Sequence, residues 1–289
     1  MTETTPTGAN APVGVFDSGV GGLSVLRPIR ALLPHEDLLY FADSAHAPYG
    51  GKSEAEVAAR AQAIAAFLLE QGVKAMVVAC NTATAVAIDA IRKRYPSLPV
   101  VGVEPGLKPG AAATRCGKVG VLATEGTLAS QRFQALRDQI AAATGAQFLA
   151  MPCPGLADQI EKGELRSAAT AALVARFVTP LIRDGADTLV LGCTHYPFIL
   201  PLIEESALAA ADGKDITVID TGTAVARQLQ RLLEQRALLN PQTAPSALAA
   251  FTTGNSASLS RACERLLQLS PPVMKVDAQE NCQPEAKFV

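Results

Sequence analysis

The chain of 289 residues contains no tryptophan, only 4% aromatic residues and three histidines. Its apolar fraction of 49% is therefore built from small side chains, alanine above all. That composition suits helices packed closely against sheets. Charge of either sign is not in excess: 25 Lys and Arg against 27 Asp and Glu leave a net charge of −2, with no block of one sign. A sequence-independent nucleic-acid surface is excluded on that ground. The longest apolar runs, one ending at Cys80 and one from Thr188 to Cys193, fall far short of the roughly 18 residues that span a bilayer. The stretch from Met1 to Pro12 lacks a basic start, an apolar core and a cleavage site, so it reads as a disordered leader and not a secretion signal. A cytoplasmic protein with no membrane partner is expected. Six cysteines are present, but none forms a CxxC pair, so free thiols are expected instead of disulfides or structural zinc. His35, His46 and His195 lie far apart in sequence, and no metal site is expected.

What is present is a repeated unit of short apolar run, turn and helical stretch. It predicts an α/β fold with mostly parallel sheets flanked by helices, and the length predicts about two domains. Val13 to Asp17, Leu38 to Ala42, Val73 to Ala79 and Val100 to Val103 read as strands. A helix is predicted from about Ser53 to Gln71, with Ser53 and Glu56 as its capping box, and another from Asn81 to Tyr95. The scheme then begins again. Segment 67–80 (FLLEQGVKAMVVAC) superposes on 180–193 (PLIRDGADTLVLGC) at a constant offset of 113, matching Gly72 with Gly185 and Cys80 with Cys193. GVFDSGVGGL at 14–23 has a looser counterpart in GVLATEGTL at 120–128. Internal duplication follows: two similar lobes related by a pseudo-two-fold, with a site in the cleft between them. Strands at Leu248 to Thr252 and Val273 to Val276 have no place in a second lobe that already has its own set. They are expected to return to the first, giving residues 1–104 with 219–289 as one lobe and 105–218 as the other.

Two glycine motifs invite nucleotide readings and fail them. GGKS at 50–53 would need a glycine at position 46, where His46 stands, to form a phosphate loop. Gly19, Gly21 and Gly22 follow a strand, but the third glycine of a dinucleotide fingerprint is replaced by Ser24. No cofactor is called for.

Cys80 and Cys193 differ from the other four cysteines, because each follows an apolar strand directly, where open α/β sheets bind ligands. Asn81 and Thr82 are expected to cap the helix after Cys80. Free N–H groups and the positive end of a helix dipole would then lower that thiol's pKa from about 8.5. Cys116, Cys153, Cys263 and Cys282 read as packing residues. Two thiols facing each other across a cleft suit the inversion of a carbon-acid stereocentre: one removes a proton from one face and the other returns a proton to the opposite face.

The segments FDSGVGGLSVL, YFADSAHAPYG, ACNTATA, VGVEPGLKPGA and LGCTHYP occur in an order and at intervals that resemble the cofactor-independent glutamate racemases of the two-cysteine Asp/Glu racemase family, from about Val13 to Leu229. The resemblance implies a racemase that interconverts L- and D-glutamate and feeds D-glutamate into peptidoglycan precursors. It implies Cys193 as the base toward L-glutamate and Cys80 toward D-glutamate, with Asp17 orienting Cys80 and His195 serving Cys193. Substrate contacts implied are Asp17, Ser18, Tyr49, Gly50, Asn81, Thr82, Thr194 and His195. Thr124 and Thr127 lie in the looser VLATEGT segment as further hydroxyls. Glu161, in ADQIEKGEL, falls where the family often has an acidic residue near the site, within a local sequence that departs from the commoner VPLVE; no role is assigned to it. The motifs around the two cysteines contain no Arg or Lys, so the carboxylates of glutamate would be held by loop N–H groups, hydroxyls and helix N-termini. Two other readings stand beside this one: a related racemase acting on aspartate or another small acid, and a non-catalytic two-lobed binding protein. A homodimer is the default oligomer.

Overall fold

Ten strands arrange themselves into two wholly parallel sheets in the computed structural model, which describes residues 8–243 and 246–277. In chain order they are β1 (Val13–Asp17), β2 (Leu38–Ala42), β3 (Ala75–Val78), β4 (Val100–Gly102), β5 (Lys118–Ala123), β6 (Gln147–Pro152), β7 (Thr188–Gly192), β8 (Thr217–Ile219), β9 (Leu248–Thr252) and β10 (Val273–Lys275). The first sheet runs β10-β9-β2-β1-β3-β4 and the second β6-β5-β7-β8. Stripped of β9 and β10, both have one order, and the register agrees too: Val15 faces Val77 across β1 and β3, and Val121 faces Val190 across β5 and β7. Those valines, Val77 and Val190, are the pair related by the offset of 113 in sequence. The two strands left over in the sequence join the first sheet through β2, with Tyr40 opposite Ala250. Ile219 closes β8 opposite Val190 in the second sheet, so the chain crosses back after it.

Alternation along the strands sets the layers. In β1, Val13 and Val15 face a core shared with the helices Leu23–Leu32, Gly222–Gln235 and Ser256–Leu267, while Phe16 faces another under Glu54–Glu70 and Asn81–Arg94. The second sheet repeats this, with Leu189 and Leu191 on one side and Val190 on the other. Both faces of each sheet are covered, which is why the strands read as continuous apolar runs instead of alternating polar ones. The helix Glu54–Glu70 starts where expected: Ser53 Oγ accepts from the Glu56 N–H at 3.3 Å.

Each lobe must tie the segment entering its first strand to the base of the sheet, and each does so from the residue before the third strand. In the first lobe this is Lys74, whose backbone N–H donates to the Pro12 carbonyl at 2.9 Å and whose ammonium donates to the Ala9 carbonyl and pairs with Glu36 at 2.5 Å. Residues 8–12, expected to belong to a disordered leader, therefore form an anchored turn. Residues 1–7 and Cys282 lie outside the described residues. In the second lobe the corresponding residue is Asp187, which accepts from Thr114 Oγ1 at 2.6 Å and from the N–H groups of Arg115 and Cys116 at 2.8 and 2.9 Å. These bonds pull its carboxyl down to about 2, against the opposing effect of burial.

Candidate active site

In both sheets the strand order reverses beside the first strand, so the crevice at the carboxyl ends lies between β1 and β3 in one lobe and between β5 and β7 in the other. The residues that follow those four strands meet in one small cavity. Ser18 follows β1, Cys80 comes two residues after β3, Thr124 follows β5 and Cys193 follows β7, and all four line it. So do Tyr49, Gly50, Asn81, Thr82, Thr194 and His195. The space enclosed is only about 10 Å³, enough for about one water molecule. A much larger cavity of about 450 Å³ lies where the chain crosses between the sheets, beside Pro105 and Thr221, and neither thiol reaches it.

Asp17 is the one predicted substrate contact that does not line the cavity. It is fully buried, because its Oδ2 turns into the following loop and accepts the Gly22 N–H at 2.8 Å and the Gly19 N–H at 3.4 Å. Its other oxygen has no hydrogen-bond partner, and the charge of the group acts on Cys80. Burial raises the Asp17 carboxyl above the ordinary carboxylate range, opposed by His195. Asp17 is thus turned into its own loop and does not line the cavity.

The helix after β3 departs from expectation in its cap. Cys80 itself is the N-cap of Asn81–Arg94, and its Sγ accepts the Ala83 N–H at 3.5 Å. Asn81 and Thr82 are the first helical residues, and their side chains turn elsewhere. Asn81 Nδ2 donates to the Val103 carbonyl at 3.3 Å, and Thr82 Oγ1 lies 2.9 Å from Thr124 Oγ1 and 3.3 Å from Thr127 Oγ1. This cluster joins one lobe to the other with neutral hydroxyls. The lowered Cys80 pKa expected of a helix N-terminus is not found either: burial, reinforced by the Asp17 charge, outweighs the Ala83 N–H and pushes the thiol well above its ordinary value. A sequence shows the cap, whereas desolvation depends on what covers it.

Around Cys193 the environment is of another kind. His195 Nδ1 lies 3.6 Å from Cys193 Sγ, and its Nε2 lies 2.6 Å from Glu161 Oε1. The same carboxylate oxygen accepts the Val20 N–H at 2.7 Å. Burial alone would depress the imidazole, but Cys193 and Glu161 outweigh it and hold His195 well above 6.5. Glu161 ends the short helix Leu156–Glu161 of the second lobe, yet it is completed by a loop of the first. No periodicity in the sequence around it signals this contact; only the resemblance, which places an acidic residue near the site there, pointed to it.

Close approach explains the glycines that resembled a dinucleotide loop. A Cβ at Gly19 would stand 1.9 Å from Glu161 Oε1, and one at Gly21 would stand 2.4 Å from His195 Nδ1. The loop is stripped of side chains so that it can rest on the Cys193–His195–Glu161 chain. Ser24 Oγ adds a bond to the Thr194 carbonyl at 2.7 Å. The second loop, around Tyr49, is held from outside. Asp43 accepts from Tyr49 at 2.5 Å, from Arg60 at 2.7 and 2.9 Å and from Thr253 at 2.8 Å. The Tyr49 hydroxyl is thereby engaged away from the cavity it lines.

The family model for Asp/Glu/hydantoin racemases matches residues 21–229. The chain belongs to that family. A glutamate racemase from Pseudomonas paraeruginosa is 59% identical over 230 residues, covering 80% of this chain and 84% of that one. Among solved structures, a glutamate racemase isoform from Bacillus anthracis superposes with a TM-score of 0.84 at 33% identity, over 93% of this chain and 98% of the other. A glutamate racemase from Francisella tularensis solved with D-glutamate superposes with a TM-score of 0.80 at 29% identity, over 95% and 100%. This racemase fold carries both thiols at corresponding strand ends. Among the described residues no helix is long and apolar enough to cross a membrane.

Proposed function

We propose that this racemase-family protein interconverts L- and D-glutamate by proton transfer between Cys80 and Cys193. The observation that carries the reading is that two thiols from equivalent strand ends of two lobes line one cavity. Cys193, as thiolate beside the His195 imidazolium, takes the α-proton of L-glutamate, and the Cys80 thiol delivers its proton to the opposite face of the resulting carbanion. The reverse reaction exchanges the roles. Asp17 orients Cys80 from behind, and Glu161 keeps His195 charged. None of the residues lining the cavity is Lys or Arg, so Ser18, the Thr82 and Thr124 hydroxyls, Asn81, Thr194 and loop N–H groups are assigned to the two carboxylates. Glutamate cannot enter about 10 Å³, and binding therefore requires the lobes to part.

The lobes in this reading are residues 8–104 with 220–277 and residues 105–219, the return falling one residue later than position 219 because Ile219 pairs within the second sheet, and they are hinged where the chain crosses between the sheets. The cellular setting that fits is the cytoplasm, with D-glutamate passed to peptidoglycan precursors. The test is conversion of L-glutamate and, separately, L-aspartate in deuterium oxide, following optical rotation and α-deuterium together. Glutamate is expected to racemise with deuterium uptake, and Cys80→Ala and Cys193→Ala to lose at least about 10³-fold in kcat/KM. Turnover of aspartate alone, or near-normal turnover by either variant, would overturn the assignment.

A further inference from the structure

Tyr40 stands in the middle of the first sheet, and the reaction as described so far makes no use of it. It lies in β2 between Val15 of β1 and Ala250 of β9, fully buried in the core that also holds Leu23, Leu26 and Leu259. Phenylalanine would fill that space as well. The hydroxyl is the difference, and it donates to the Gly19 carbonyl at 2.6 Å. Burial pushes the phenol well above its ordinary value, so the group stays a donor. Gly22 makes room for it, since a Cβ there would stand 2.9 Å from the Tyr40 Oη.

The Gly19 carbonyl and the Val20 N–H belong to one trans peptide, which points them in opposite directions. The carbonyl faces Tyr40 in the core of the first lobe, and the N–H donates to Glu161 Oε1 of the second lobe at 2.7 Å. That oxygen lies 2.6 Å from His195 Nε2, and His195 Nδ1 lies 3.6 Å from Cys193 Sγ. One line of contacts therefore runs from the sheet of the first lobe to the thiol of the second.

Glycine explains why this line needs a fixed end. Position 19 tolerates no side chain, because a Cβ would stand 1.9 Å from Glu161 Oε1. A residue without Cβ leaves its backbone free to take several conformations. Turning the Gly19–Val20 peptide over would aim a carbonyl oxygen at the Glu161 carboxylate, where two acceptors repel. The Tyr40 hydroxyl holds that carbonyl on the core side.

Resting on the two-thiol reading above, we propose that Tyr40 is a positioning residue for the Cys193 side of the site: it locks the Gly19–Val20 peptide so that the first lobe, on closing, presents an N–H and not a carbonyl to Glu161. The rigid element is the sheet, and the glycine loop takes its precision from it. When the lobes close after admitting glutamate, the Glu161 contact re-forms with His195 already directed at Cys193. Tyr40 does not line the cavity and transfers no proton.

Tyr40→Phe keeps the ring and removes the bond. In this variant kcat is expected to fall by roughly tenfold with KM within about twofold of wild type. Glu161→Ala removes the group to which the peptide is presented, so in that background Tyr40→Phe should cost less than about twofold further. Equal losses in the two backgrounds would make the tyrosine a packing residue and overturn the proposal. The second readout is the Val20 amide resonance of the full-length protein labelled at valine nitrogen, assigned by its disappearance in Val20→Ile. Tyr40→Phe and Glu161→Ala are both expected to move it upfield and to speed its hydrogen exchange by about tenfold or more. A resonance that Tyr40→Phe leaves in place would equally overturn the proposal. The amide signal needs no turnover, so this outcome is separate from failure of the racemase reading, which the activity of Cys193→Ala decides.

Discussion

The two lobes share a strand order, a register and a thiol at the same strand end, yet they surround that thiol with different chemistry. In the first lobe Cys80 caps a helix, has the carboxyl of Asp17 behind it and is pushed well up by burial. In the second, Cys193 precedes only a short turn and has His195 and Glu161 instead. The same contrast recurs at the opposite end of the sheets, where Lys74 and Asp187 do one job with opposite charge. A duplicated backbone places equivalent atoms, but neighbours one residue or one loop away give them different charged surroundings. The pseudo-two-fold is thus geometric and not electrostatic. A racemase requires the first and, in a given resting state, benefits from departing from the second, because one thiol must be ready to accept a proton while the other holds one.

Glu161→Gln attacks that asymmetry where it is greatest. Without the carboxylate His195 loses one of the two groups that raise it, and the variant is expected to lose about tenfold or more in kcat/KM. A raised imidazole delivers its stabilisation fully below its unfolded value of about 6.5 and loses it as pH rises through the folded one. The alkaline limb of the pH–rate profile, and the pH at which the fall in thermal stability is complete, should therefore both move to lower pH in Glu161→Gln. An alkaline limb that stays in place would show that His195 does not depend on Glu161 for its charge.

The anchors give a smaller, structural comparison. Lys74→Met leaves Glu36 buried with its charge unpaired and should cost about 3 kcal/mol or more in urea unfolding. Asp187→Ala removes hydrogen bonds from a half-buried site and should cost about 1–2 kcal/mol. Their pH dependence separates them. Because its folded carboxyl is held at about 2, Asp187 stabilises the fold above its unfolded value of about 3.9 and loses that contribution as pH falls toward its folded one. The gap between wild type and Asp187→Ala should close between about pH 4 and pH 2, and a constant gap would remove the carboxylate from the account. The smallest effect is expected at Cys116, an exposed thiol near the base of the second lobe. Cys116→Ser should change stability by less than about 0.5 kcal/mol and leave turnover intact; a large loss of activity would mean that a third thiol matters.

Much of this was legible in the chain. β1 and β2 occupy the predicted ranges, the capping box at Ser53 forms, and the offset of 113 corresponds to a shared strand order. Local signals suffice for such features, because strand periodicity and caps depend on neighbours within a few residues. The departures all involve contacts between distant segments. Asn81 and Thr82 have the right chemistry to cap a helix, but Val103 and Thr124 claim their side chains. Gly19 and Gly21 carried a recognisable motif whose reason, the approach of Glu161 and His195, lies in the other lobe. Glu161 itself stands about 140 residues from Val20, whose N–H it accepts.

By itself the sequence determined which atoms can do chemistry and at which strand ends they stand, since an apolar run followed by cysteine needs no partner to be read. It also determined that the site is poor in cations, a consequence of composition in the motifs. The tertiary structure alone decided what surrounds those atoms. Burial, the Asp17 carboxyl behind one sulfur and the His195–Glu161 pair beside the other act across elements far apart in the chain, and the free energy of a charge depends on everything that surrounds it in space.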